Sequence, residues 1–213
     1  MPNIPFLDTL FTWLRPRLAP DQPPSPGLKP QPEPGSRPRA PGDQDEAVAW
    51  GAHVSSAFRR KVIATAGRLA MNPNHLMAIM AFETGRSFNP AVTNHAGSGA
   101  TGLIQFMPAT ARALGTSTAA LSRMSAIDQL DYVEAYLAPY AGRMKDLPSA
   151  YMAVLYPRAV DKEPGYVLFR KGSKAYKLNR GLDLNGDGQV TKAEAAAKVE
   201  VLLAEGLRPG SRG

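Results

Sequence analysis

Residues 74–113 read NHLMAIMAFETGRSFNPAVTNHAGSGATGLIQFMPATARA, and they open with an almost wholly apolar helix pattern closed by one carboxylate, Glu83. Leu76, Ile79 and Met80 precede Glu83 by seven, four and three residues, so the four side chains share one helix face. Ionising a carboxylate on an apolar stripe is costly, so Glu83 is expected to titrate high. A general acid or base working near neutral pH needs that property. A Gly-rich loop follows, then Gly102-Leu103-Ile104-Gln105, then a second helix from about Pro108.

The rest of the chain reads as helix, linker and little else. From Asp45 the pattern turns helical, with Val54, Phe58, Val62, Ala66 and Leu69 on one stripe. Asn72 is a cap for the helix that carries Glu83, and Ser125 for a long helix through Ile127, Leu130, Val133, Tyr136, Leu137 and Tyr140. Further helices are expected over about Pro148 to Leu155 and Lys192 to Leu203. Only Tyr166 to Phe169 reads as a strand, so the fold class is mainly α, without internal repeats. Half of the 20 prolines fall between Pro16 and Pro41, which makes residues 16–44 an extended linker. Ahead of it, Phe6, Leu7, Leu10, Phe11 and Leu14 recur at helical spacing. Residues 1–15 are therefore an amphipathic segment that docks on a partner protein, packs on its own domain or lies on a membrane surface. The catalytic body is expected at 45–175, with a separate C-terminal element at 176–206.

Composition narrows the chemistry. The chain has no cysteine, so neither a disulfide framework nor thiolate catalysis is open to it. No apolar run is long enough to span a bilayer. The net charge of +7, from 25 Lys and Arg against 18 Asp and Glu, favours anionic partners, but no nucleic-acid motif accompanies it and no nucleic-acid partner is expected. His53, His75 and His95 lack metal-ligand spacing, and there is neither an HExxH nor a GxSxG.

Phe82-Glu83-Thr84-Gly85, the loop after it and Gly102-Leu103-Ile104-Gln105-Phe106 resemble the soluble lytic transglycosylase (SLT) domain. Its signature is a catalytic Glu usually followed by Ser, a Gly-Leu-Met-Gln-like element, and Ala-Tyr-Asn-Ala-Gly. The first two elements match at the family separation, with Thr84 for Ser and Ile104 for Met. The third departs: Ala150-Tyr151-Met152-Ala153-Val154 keeps the Tyr and loses the Asn and the Gly. The resemblance covers about residues 50 to 170 and points to a divergent, phage-type branch. It implies a lysozyme-like, goose-type helical fold and cleavage of peptidoglycan glycan strands by a monomeric enzyme. It also implies Glu83 as the catalytic residue and substrate contacts from Thr84, Ser98, Gln105, Phe106 and Tyr151.

Glycosidases ordinarily use two carboxylates. From Thr84 through Ile127 this chain has neither Asp nor Glu; Asp128, Asp131, Asp161 and Glu163 come later. Asp128 and Asp131 are better placed to complement the dipole of the long helix. The residues therefore favour a one-carboxylate mechanism. In the family resembled, the Glu protonates the glycosidic oxygen and then takes a proton from the C6 hydroxyl of muramic acid, closing a 1,6-anhydro ring. A goose-type muramidase on the same fold, or an inactive wall-binding or calcium-dependent module, are the alternatives.

A second signal lies at DLNGDGQVTKAE, Asp183 to Glu194, which matches a twelve-residue EF-hand loop. Asp183, Asn185 and Asp187 hold positions one, three and five. Gly188 supplies the turn, Gln189 a carbonyl, Thr191 position nine, and Glu194 the bidentate twelfth ligand. One structural calcium ion is expected there, and no cofactor for catalysis. Residues 1–15 lack the basic start and small-residue cleavage site of a signal peptide. Action in the periplasm or cell wall is then expected to follow delivery by phage lysis or a secretion machine.

Overall fold

The computed structural model describes residues 47–94 and 98–213; the expected N-terminal segment, the proline-rich linker, and His95 and Gly97 lie outside them. The described residues are mainly α. In chain order the elements are α1 (Ser56–Arg68), α2 (Pro73–Glu83), α3 (Pro108–Ala113), α4 (Thr118–Leu121), α5 (Ala126–Leu137) and α6 (Leu147–Leu155). Then come β1 (Val167–Arg170), α7 (Lys174–Asn179), β2 (Gln189–Thr191) and α8 (Lys192–Gly206).

Helix α2 is the centre of the molecule. It carries no charged side chain before Glu83, and Leu76 through Ala81 are all fully buried, so it is enclosed on every side. Its start is set by Asn72, whose side chain accepts the Asn74 N–H at 2.9 Å, and by Pro73 in the first turn. Helix α1 covers one side through Phe58, Val62 and Ala66 and packs on α5 as well. Ser125 caps α5 by accepting the Asp128 N–H at 3.1 Å, as its position in the sequence suggests.

The C-terminal element is not appended after residue 175. Ala195, Ala196, Val199 and Leu202 of α8 join the same core as α2, and α8 packs on both α2 and α6. The small side chains at 195 and 196 allow that close approach. At the far end of α8, Gly206 leaves no room for a Cβ, which would lie 2.3 Å from the Trp50 ring, and Trp50 Nε1 donates to the Leu202 carbonyl at 2.9 Å. At its near end Lys192 is buried, and its Nζ donates to Ser149 Oγ (3.0 Å), the Val160 carbonyl (2.9 Å) and the Lys162 carbonyl (2.7 Å). All three ammonium protons are thereby used, which is the condition for keeping such a group in a core. Strands β1 and β2 pair antiparallel, Val167 with Thr191 and Arg170 with Gln189, so the expected strand finds a partner that its sequence does not announce.

Candidate active site

Glu83 is the last residue of α2 and is 8% exposed. The chain after it closes in a tight C-terminal motif. Arg86 N–H bonds back to the Ala81 carbonyl at 2.7 Å and Gly85 N–H to the Phe82 carbonyl at 3.5 Å, with Gly85 left-handed at φ 59°. Thr84 locks this turn. Its hydroxyl donates to the Met80 carbonyl at 2.7 Å and accepts the Phe88 N–H at 3.0 Å. Thr84 is itself buried, so it positions the turn beneath Glu83, and the substrate contact expected of its hydroxyl gives way to that role. Arg86 extends the brace to α8: its Nη2 lies 2.7 Å from Glu205 Oε2 and its guanidinium sits 5.9 Å from the Trp50 ring centre.

A second built turn lies further along the chain. Thr101 and Phe106 exchange both backbone hydrogen bonds (3.0 and 2.8 Å), enclosing Gly102-Leu103-Ile104-Gln105. Gly102 N–H reaches the Val92 carbonyl at 2.8 Å, and Gln105 Nε2 donates to the carbonyls of Val92 and Gly102, both at 3.1 Å. The amide nitrogen of Gln105 is thus occupied in holding the loop, which leaves Oε1 as the side-chain atom to meet a ligand. Gln105 is 8% exposed and left-handed at φ 54°, a conformation the flanking bonds over-determine. Ser98 is half-buried and its Oγ accepts the Ala100 N–H at 3.3 Å, a local turn within the loop.

Two expected substrate contacts are core residues. Phe106 is fully buried and meets Tyr136 edge-on at 6.1 Å, so its ring belongs to the core. Tyr151 is 1% exposed on α6 and packs edge-on against Phe82 at 5.6 Å, one residue from Glu83. Met152 and Val154, where the family motif has Asn and Gly, are fully buried and fill the core behind it.

Gln129 escaped sequence reasoning. On α5 it is fully buried, yet its amide ties three segments together: Oε1 accepts the Leu103 N–H at 2.6 Å, and Nε2 donates to the Pro90 carbonyl (3.1 Å) and the Leu121 carbonyl (2.9 Å). It also explains Gly102, which is left-handed at φ 89° and whose Cβ would fall 2.3 Å from Gln129 Oε1. A lone amide on a helix reads as a surface residue, and only its neighbours in space mark it as structural.

The later carboxylates that pair do so with groups other than Glu83's turn. Asp128 accepts from the Ser125 hydroxyl (2.6 Å), Asp131 pairs with Lys61 (2.8 Å), and Asp161 pairs with Arg143. Glu163 is exposed beyond α6.

At the C-terminal loop, Asp183 accepts the N–H groups of Gly186 (2.8 Å) and Gly188 (3.0 Å) and the Tyr176 hydroxyl (2.6 Å). The Tyr176 hydroxyl, ahead of the loop N–H groups, holds the Asp183 carboxyl below the usual range. Asn185 Oδ1 accepts the Asp187 N–H at 2.9 Å and Asp187 Oδ1 the Gln189 N–H at 2.7 Å. Glu194 is drawn back over the loop. Its Oε1 accepts the Leu184 N–H at 3.2 Å, and its Oε2 accepts from the N–H and hydroxyl of Thr191 (2.9 and 2.8 Å). Burial pushes Glu194 up, but these donors outweigh it and its carboxyl lies low. The candidate donors are all oxygens, three of them carboxylates, in a loop closed from twelfth residue to second, which is the kind and order of donor that calcium takes. Among the described residues no three acidic, His or Cys side chains converge as a metal shell.

No curated protein and no solved structure matches the chain. Residues 61–153 do match a family model, the Transglycosylase SLT domain; that span includes Glu83, the Gly102-to-Gln105 turn and Tyr151, and the match supports its assignment to the SLT, lysozyme-like family.

Proposed function

We propose that this protein is a peptidoglycan lytic transglycosylase that cleaves the β-1,4 bond between N-acetylmuramic acid and N-acetylglucosamine, with Glu83 as its one catalytic carboxylate. Glu83 gives its proton to the glycosidic oxygen as the bond breaks. The resulting carboxylate then takes the proton of the muramic C6 hydroxyl, whose oxygen closes on C1 to give a 1,6-anhydro end. The observation that carries this reading is a single enclosed carboxylate at the end of an apolar helix within the SLT-matched span. No acid occurs from Thr84 through Ile127, and Asp128, Asp131 and Asp161 are each held by a partner elsewhere. Gln105 Oε1 is the polar group offered to the sugar from the facing turn.

A calcium ion bound by Asp183, Asn185, Asp187, the Gln189 carbonyl, Thr191 and Glu194 steadies the start of α8 and takes no part in the chemistry. The enzyme works as a monomer in the cell wall or periplasm.

Mass spectrometry of purified peptidoglycan digested by the protein tests the reaction. Anhydro-muramic ends are expected. Reducing ends alone would make the enzyme a muramidase, with a second carboxylate entering the cleft; no cleavage would leave a wall-binding module.

A further inference from the structure

Five cations stand together outside the span matched by the family. Between Pro164 and Leu182 the chain carries Arg170, Lys171, Lys174, Lys177 and Arg180 and no acidic residue. All five are exposed. Among the described residues none of them forms an ion pair; the one side-chain bond they make joins Arg170 to the neutral Gln189 amide at 2.5 Å.

Their arrangement is built. Lys174, Lys177 and Arg180 follow at three-residue steps along α7 and its 3-10 extension, Arg180–Leu182, so they share one side with a rise of roughly 5 Å between neighbours. Arg170 ends β1, and a tight turn, in which Ser173 N–H and Oγ both donate to the Arg170 carbonyl (3.1 and 2.7 Å), brings Arg170 and Lys171 up to the start of α7. Lys171 N–H is fastened to the Gly188 carbonyl at 2.7 Å, which ties this turn to β2. The platform holding the charges is therefore ordered before any partner arrives.

We propose that this surface, from Arg170 to Arg180, binds a hydrophilic polyanion whose charges repeat along a flexible backbone, a polyol-phosphate chain, and, resting on the reading of the protein as a wall enzyme, that it thereby holds the protein on an anionic wall. The residues between the cations select that chemistry. Phe169 is buried, and the one aromatic ring inside the row, Tyr176, is half-buried and anchored through its hydroxyl to Asp183, so the row lacks the succession of aromatic faces on which the bases of a strand stack. No large apolar side chain between Arg170 and Arg180 is exposed, so nothing is offered for insertion into a bilayer. What remains is a row of charges, which recognises phosphates by electrostatics and by the forked guanidinium groups of Arg170 and Arg180.

The test uses the full chain and soluble poly(glycerol phosphate), with phosphatidylglycerol vesicles and a single-stranded oligonucleotide as competing arms. Binding to the polymer is expected, weakening about a hundredfold between about 50 and 200 mM salt if all five cations contact phosphate. The variant carrying Lys174→Glu, Lys177→Glu and Arg180→Glu should lose at least about tenfold in affinity and most of the salt dependence. Its fold is checked by circular dichroism, and Lys174→Gln with Lys177→Gln serves as a milder pair should the triple variant not fold. The proposal is overturned if the wild type does not bind the polymer, if the variants bind unchanged, or if only vesicles or the oligonucleotide are bound. The readout is binding and involves no turnover, so its failure leaves the reading of Glu83 standing, and an inactive enzyme would leave this surface standing.

Discussion

Replacing Gln129 with leucine probes the least obvious support of the site. The wild-type amide meets the Leu103 N–H, the Leu121 carbonyl and the Pro90 carbonyl from a fully buried position. Leucine fills most of the same volume, so the change opens no large cavity and acts mainly by removing partners. The bonds to Leu103 and Leu121 are buried, and orphaning those two backbone groups costs about 1–3 kcal/mol each. The bond to Pro90 is only partly buried, and that carbonyl can turn to water. The sum is a loss of roughly 2–6 kcal/mol, a large part of the roughly 5–15 kcal/mol that holds a domain together. Urea unfolding followed by circular dichroism measures it: the midpoint should fall at unchanged m-value. A loss below about 1 kcal/mol would refute the claim that Gln129 ties the Gly102-to-Gln105 turn to α5.

Two further outcomes follow from charged groups of the structure. Arg68 grips Glu134 between α1 and α5 (2.6 Å), and that bond, ahead of the opposing effect of burial, holds the Glu134 carboxyl below the ordinary value of 4.5. A depressed carboxylate adds stability that is present above the unfolded value and is lost as the pH falls through the folded one. Glu134→Gln should therefore flatten the acid limb of melting temperature against pH below 4.5; an unchanged slope would show that the pair contributes nothing there. Calcium added to metal-stripped protein should raise the melting temperature in a concentration-dependent way, and Glu194→Gln should weaken that response; no shift at millimolar calcium would reduce the loop to an acidic turn.

The parts of this structure that were legible in the sequence are those decided locally. Asn72 and Ser125 cap helices because a short polar side chain reaches the N–H two or three residues on, and nothing distant has to agree. The apolar run before Glu83 could be buried only by surrounding it, and the core does so. What was not legible depends on partners far along the chain. Lys192 reads as a surface lysine inside an acidic loop, yet it is buried because Ser149 and two carbonyls of the segment after α6 converge on it. The stripe of Ala195, Ala196, Val199 and Leu202 announces that α8 packs on something, but that its partners are α2 and α6 is decided far along the chain. Phe106 stands beside a polar residue in a glycine-containing turn, and only its distant partner Tyr136 shows that its ring belongs to the core.

The central claim is that Glu83 alone moves the proton that breaks the glycan. The direct measurement is the rate at which folded Glu83→Gln protein solubilises dye-labelled peptidoglycan, set against wild type at equal concentration and with matching circular dichroism. Glutamine keeps the shape of the side chain at the end of α2 and cannot donate or take the proton. The account predicts a fall of about 10²–10⁴-fold, the usual worth of a positioned general acid and base. A folded variant that retains more than about a hundredth of wild-type activity would contradict it and send the search for the catalytic group elsewhere in the fold.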